Sequence, residues 1–138
     1  MHKVIGAALK VVALVAILAA LSGCAPRSGA DIKTVTIRIE HSRFQPARFE
    51  LPAGATVRFV LRNTDPIDHE FIVGDERVQQ VHERGSERHH GAKPGEISVP
   101  ALEQRSTMLT LEEPGSLIFG CHLPGHYAYG MRGEIEIS

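Results

Sequence analysis

The sequence predicts an all-β fold, an antiparallel Greek-key sandwich or barrel, and three observations lead there. From Asp31 onward apolar and polar residues alternate with period two in one run after another. Each run is short, and Pro and Gly punctuate the gaps with no convincing helical stripe between them. At 138 residues, 43% apolar and 22% charged, the chain has the size and composition of one ordinary globular domain rather than of a disordered segment.

Taken in order, residues 1–23 stand apart from the rest. Lys3 and Lys10 precede the uninterrupted apolar run Val11 to Leu21, which is the layout of an export signal. That run is too short to span a bilayer, which takes about 20 residues, although counting back to Val4 leaves an uncleaved anchor as the alternative. Leu21-Ser22-Gly23-Cys24 resembles a bacterial lipobox, in which the cysteine is acylated and becomes the first residue of the mature chain; a plain secretory signal with an incidental cysteine is the other reading. Residues 24–30 then serve as lipid anchor and tether, and residues 31–138 as the folded domain.

Within that domain the first alternation sets Val35, Ile37 and Ile39 on one face and Thr34, Thr36, Arg38 and Glu40 on the other. It recurs at Val57, Phe59 and Leu61, at Phe71 and Val73, at Leu109 and Leu111, at Leu117, Phe119 and Cys121, and at Ile135 and Ile137. Turn signals separate the runs: LPAG at 51–54, NTDP at 63–66, KPG at 93–95, EPG at 113–115 and LPGH at 123–126. With room for short additional strands, about seven or eight are expected. Residues 74–96 break the pattern. They are long, polar and heavily charged, and predict a surface loop insertion with one helical turn around Val78 to His82.

Charge and cysteine count narrow the function. Two of the 15 basic residues lie in 1–23, so the remainder carries 13 basic against 16 acidic side chains, with no electrostatic footprint for nucleic acid. With Cys24 lipidated, Cys121 is the one remaining thiol, and an intrachain disulfide is excluded. In an oxidising exported compartment such a thiol needs protection, and metal ligation is one common form of it.

The segment GCHLPGHYAYGM, residues 120–131, offers a thiolate at Cys121, imidazoles at His122 and His126 and a thioether at Met131. Soft sulfur ligands favour copper over magnesium, calcium or manganese, and two imidazoles with a thiolate and a long axial methionine tolerate both Cu(I) and Cu(II). A tight loop between two strands brings Cys121, His126 and Met131 together, whereas His122 points to the other face of its strand. The second imidazole must come from elsewhere, and His69, where the NTDP turn gives way to an apolar strand, is the best placed. Simpler readings stand beside these: a buried inert thiol for Cys121, a core filler for Met131, a hydrogen-bonded histidine for His122 and a solvated one for His41. His82, His89 and His90 in the polar loop read either as a solvated face or as an auxiliary copper or zinc site.

At these residues the chain resembles the cupredoxins, the single-domain copper proteins of the plastocyanin, azurin and rusticyanin kind. The resemblance covers essentially all of residues 31–138 and rests on an upstream N-x5-H followed by C-x4-H-x4-M. It implies His69, Cys121, His126 and Met131 as ligands of one type 1 copper ion. It also implies a backbone N–H of Glu70 donating to the Cys121 sulfur, Asn63 tying the turn before His69 to the ligand loop, and Pro124 stiffening that loop. Multicopper oxidases carry a histidine directly before the cysteine, where this chain has Gly120, and need several domains. A site that encloses its metal leaves no open position for substrate, so no enzyme is expected. The resemblance implies a membrane-anchored, monomeric carrier of single electrons between redox proteins, or else a protein that stores copper or delivers it to a copper-accepting enzyme.

Overall fold

The computed structural model describes residues 32–85, 89–91 and 93–138; the signal, Cys24 and the tether lie outside the described residues. The alternating runs fold as extended chain because each can bury one face, and they do so in two stacked sheets. In chain order the elements are β1 Ile32–Glu40, β2 Arg43–Gln45, β3 Arg48–Leu51, β4 Thr56–Asn63, β5 His69–Gly74, α1 Glu76–Glu83, β6 Glu96–Val99, β7 Gln104–Thr110, β8 Gly115–Gly120 and β9 Arg132–Ile137. One sheet has the order β2-β1-β4-β7 and the other β3-β9-β8-β5-β6. Among the described residues no helix is long and apolar enough to cross a membrane.

The all-β sandwich thus forms, with nine strands among the described residues, but its sheets are mixed rather than purely antiparallel. β1 runs parallel to β4, and β3 parallel to β9. Both pairs join strands that are not consecutive, so no hairpin turn sets their direction. The segment from β2 to β3 explains how the chain passes between layers. Arg43–Gln45 pairs with β1 in the first sheet, and after Pro46 and Ala47 the chain continues as Arg48–Leu51 beside β9 in the second.

The core lies between the sheets. Ile37, Ile39, Val57, Phe59, Leu61, Phe71, Phe119 and Ile135 are completely buried there. Phe71 is its centre, with ring centroids 5.8 Å from Phe44, 5.3 Å from Phe59 and 5.3 Å from Phe119. Tilted and edge-on pairs of this kind each add about 0.5–1.5 kcal/mol to the area they bury.

β5 is the exception to one-sided burial: every residue from His69 to Val73 is buried. Phe71 and Val73 face the core, so by alternation Glu70 and Ile72 face outward, where α1 packs on β5 and His90 meets Glu70. Here the expectation of a polar surface excursion at 74–96 is corrected. The helix is longer than one turn, is capped by the Asp75 side chain accepting from the Val78 N–H at 2.9 Å, and docks onto β5 and β8. Gln79, only 2% exposed, fastens it through its amide, which donates to the Ile72 and Ile118 carbonyls at 3.2 and 3.0 Å. Charge along VQQVHER disguised a helix whose buried contacts are polar rather than apolar.

Close approach fixes β9 against β8. A Cβ at Gly133 would stand 2.2 Å from the Phe119 ring and 2.3 Å from the Ala47 carbonyl oxygen. Gly133→Ala is therefore expected to destabilise the fold by about 1–3 kcal/mol through overpacking, read as a lower urea midpoint with an unchanged m-value.

Candidate metal centre

Two neighbouring strands carry the centre. β5 pairs with β8 in the register Ile72↔Gly120, which sets His69 at the start of β5 near Cys121, the residue after β8. The loop 121–131 then returns to β9. Its ends are tied by the Cys121 N–H donating to the Met131 carbonyl at 3.1 Å and the Met131 N–H to the His126 carbonyl at 2.9 Å. Between them Leu123, Pro124, Gly125 and His126 form a tight turn closed by the His126 N–H on the Leu123 carbonyl at 2.9 Å. Pro124 presets the second position, and Gly125 takes the third with φ of 84°, a left-handed conformation that side chains disfavour.

These constraints bring three donor atoms together. His69 Nδ1 lies 3.3 Å from His126 Nδ1, and Cys121 Sγ lies 3.3 Å from His126 Nδ1 and 4.0 Å from His69 Nδ1. Metal bonds of about 2.0–2.1 Å to nitrogen and about 2.3 Å to sulfur would set trigonal neighbours about 3.5–3.8 Å apart. The donor set therefore fits a thiophilic ion without rebuilding. Met131, bonded through its backbone to Cys121 and His126, is fully buried, as are His69, 1% exposed, and Cys121; His126 alone of the four is half-buried.

The protonation pattern follows from the surroundings. Burial pushes the Cys121 thiol up to about 11, against the pull of the Leu123 and Glu70 N–H groups, and the Glu70 N–H donates to Sγ at 3.3 Å. A metal must therefore displace the thiol proton, and the two backbone donors are in place to stabilise the thiolate. Burial also lowers the His69 pKa, with His126 adding to the shift, and outweighs the opposing effect of Asp65. A neutral His69 has its proton on Nε2, 2.9 Å from Asp65 Oδ2, and its lone pair on Nδ1, facing Cys121 and His126.

Asp65 is the residue that sequence reasoning missed. Its carboxylate accepts from the His41 N–H at 2.7 Å and the Ser42 N–H at 2.8 Å as well as from His69. Burial raises its pKa, but the N–H groups of Ser42 and His41 together with His69 outweigh that and hold it below the ordinary value. The available signal was a carboxylate four residues before His69, hidden inside a turn where Asp is common anyway.

Asn63 requires a correction. Its amide donates to the carbonyls of Ile67, Val99 and Pro100, and its oxygen accepts from the Asp65 N–H. It therefore ties the turn before His69 to the end of β6 rather than to the ligand loop, because as the last residue of β4 it faces that neighbour. Pro124 sits exposed in the loop's turn. His122 lies apart from the donor cluster: its ring nitrogens contact Glu83 and Gln79 at 2.9 and 2.8 Å, and it stacks on Tyr127 with centroids 4.6 Å apart. Gly120 has no room for a side chain, since a Cβ would meet Tyr127 ring atoms at 2.6 Å. His41 is exposed, as is His89, while His82 and His90 come together in a second cluster with Glu96.

A family model described as a cupredoxin-like domain matches residues 11–132. The chain belongs to the cupredoxin-like family. Among curated proteins it is similar to the copper-resistant cuproprotein CopI of Rubrivivax gelatinosus, 33% identical over 74% of this chain and 66% of that protein. It is also similar to CopI of Pseudomonas aeruginosa, 25% identical over 77% of this chain and 76% of that one. The match thus spans just under two thirds of the first relative's length. Among solved structures, dithionite-reduced auracyanin from Roseiflexus castenholzii superimposes with a TM-score of 0.66 at 23% identity, covering 80% of this cupredoxin and 99% of auracyanin. That likeness concerns the fold.

Because Asp65 both orients His69 and satisfies two backbone donors, Asp65→Asn is expected to weaken copper binding about 10–100-fold. It should also cost about 1–3 kcal/mol of stability. Competition with a chromophoric chelator and thermal melts of the metal-free chain measure the two effects.

Proposed function

We propose that this cupredoxin is an exported, lipid-anchored type 1 copper protein that carries single electrons, with His69, Cys121, His126 and Met131 as the copper ligands. The carrying observation is that two imidazole nitrogens and the thiol sulfur stand 3.3–4.0 Å from one another, with His69 and Cys121 buried. Bound copper would supply one-electron cycling between Cu(I) and Cu(II). The chain's own residues do the rest. Asp65 holds the His69 ring, Glu70 and Leu123 present N–H groups to the sulfur, and the loop's backbone bonds keep His126 and Met131 in place. Little can move when the charge changes, which keeps reorganisation small.

Half-buried His126 supports an electron path to the surface. The loops around the centre expose Ile67 by 46%, Leu102 by 70% and Tyr129 by 80%, an apolar rim suited to transient docking of a redox protein. Leu102 belongs to this end of the sandwich, since its N–H donates to the Asp65 carbonyl at 3.1 Å.

A second reading is copper storage or delivery in copper tolerance. It is favoured by relatives named copper-resistant cuproproteins. Colour and voltammetry separate the two. An intense visible thiolate-to-Cu(II) band with reversible one-electron reduction supports the carrier. A chain that takes up only Cu(I), stays colourless and passes its ion to an acceptor protein overturns the carrier in favour of delivery.

Cys121→Ser is expected to abolish the visible band and to weaken copper binding by more than the roughly 100-fold that loss of an outer partner costs. The metal-free sandwich should still fold, within about 1–3 kcal/mol of the native chain. Met131→Leu should retain copper and raise the reduction potential, as cyclic voltammetry will record.

A further inference from the structure

We propose that His82, His90 and Glu96 form a second metal site, separate from the Cys121 centre and suited to a borderline divalent cation, Zn(II) or Cu(II). Their donor atoms lie within 4.8 Å of one another, and their side chains are 6%, 2% and 11% exposed. Glu96 Oε2 stands 3.5 Å from His82 Nε2 and 3.3 Å from His90 Nδ1, close to the roughly 3.5 Å that neighbouring nitrogen and oxygen ligands keep around such an ion.

What surrounds the cluster points its lone pairs inward. The His82 Nδ1–H donates to the Val78 carbonyl at 2.9 Å, which leaves the lone pair on Nε2. That Nε2 is buried and makes no hydrogen bond in the described structure. A buried acceptor of this kind costs about 1–3 kcal/mol unless something fills the space it faces, and beside a carboxylate the filler is a cation. On the far side of His90, Nε2 lies 3.5 Å from Glu70 Oε1, so Glu70 can orient His90 as Asp65 orients His69. Lys93 Nζ, 3.6 Å from Glu96 Oε2, is the competing cation, and its side chain is 57% exposed.

Two imidazoles and a carboxylate contain no sulfur, so the donor set suits Zn(II) or Cu(II) better than Cu(I). The site draws on the helix that forms where one helical turn was expected: α1 supplies His82 and β6 supplies Glu96. The segment between them supplies His90, pinned by its N–H on Ser98 Oγ at 2.9 Å and its carbonyl on the Ser98 N–H at 3.0 Å. Nothing in this cluster depends on what fills the Cys121 centre, although Glu70 touches both through its side chain and its N–H.

The test titrates Zn(II), and separately Cu(II), into the full chain and its Glu96→Gln, His82→Gln and Cys121→Ser variants against a chromophoric chelator. Nitrogen NMR of histidine side chains follows the native chain with Zn(II). The expected result is one ion that Cys121→Ser retains and that Glu96→Gln binds at least tenfold more weakly, with shifts at His82 Nε2 and His90 Nδ1. The Cu(II) arm should show a signal without thiolate absorption that Glu96→Gln removes, and the tighter of the two ions is the one the site selects. Unchanged affinity in Glu96→Gln, or ring nitrogens that do not move, overturns the proposal. If His82→Gln fails to fold, the Glu96 variant and the native-chain NMR still decide. A missing visible band would count against the type 1 reading without touching these readouts.

Discussion

The carboxylate of Asp65 joins the parts of this molecule that the chain itself keeps far apart. It is 6% exposed, so its charge must be met by hydrogen bonds, and the bonds it takes come from the turn after β1 and from the imidazole at the start of β5. The turn needs that support. His41 and Ser42 adopt left-handed φ angles of 53° and 52°, a conformation that costs an ordinary residue roughly 1–2 kcal/mol. One side chain thereby holds a strained corner between the strands of one sheet and fixes a ring on the other. Asn63 completes the arrangement by holding the backbone of Asp65 itself.

What could be read from the sequence divides along physical lines. Cys121 and His126 were legible as neighbours because they lie five residues apart in one loop, whatever the rest of the fold does. His69 was legible from its place at the mouth of an apolar strand. Period-two alternation found the long strands, since each buries one face, but it says nothing about direction between strands that no hairpin joins, and so the parallel pairs β1 with β4 and β3 with β9 were beyond it. Asp65 looked like any turn aspartate. One turn of the helix was legible, but its full length and its docking were not, because Gln79 and His82 do the burying that apolar residues usually do.

The same β5 strand organises both faces of its sheet. Phe71 anchors the aromatic core on the inner side, and on the outer side Glu70 faces His90, while Gln79 from α1 takes the Ile72 carbonyl. His122, contacting both Gln79 and Glu83, ties the residue after Cys121 to the helix. The polar cover on the outer face is therefore continuous with the wall of the metal centre.

The candidate donors come from places 52 residues apart, and that separation governs when the pocket can exist. The loop from Cys121 to Met131 can close locally, but the His69 imidazole arrives only after β5 has paired with β8, a long-range contact of the kind that forms slowly. A chain still in extended form would present a cysteine and a histidine but no enclosed pocket. Metal loading thus becomes a report on folding: the centre is assembled only once β5 has paired with β8, and an ion held by donors from both strands marks a second sheet that has formed.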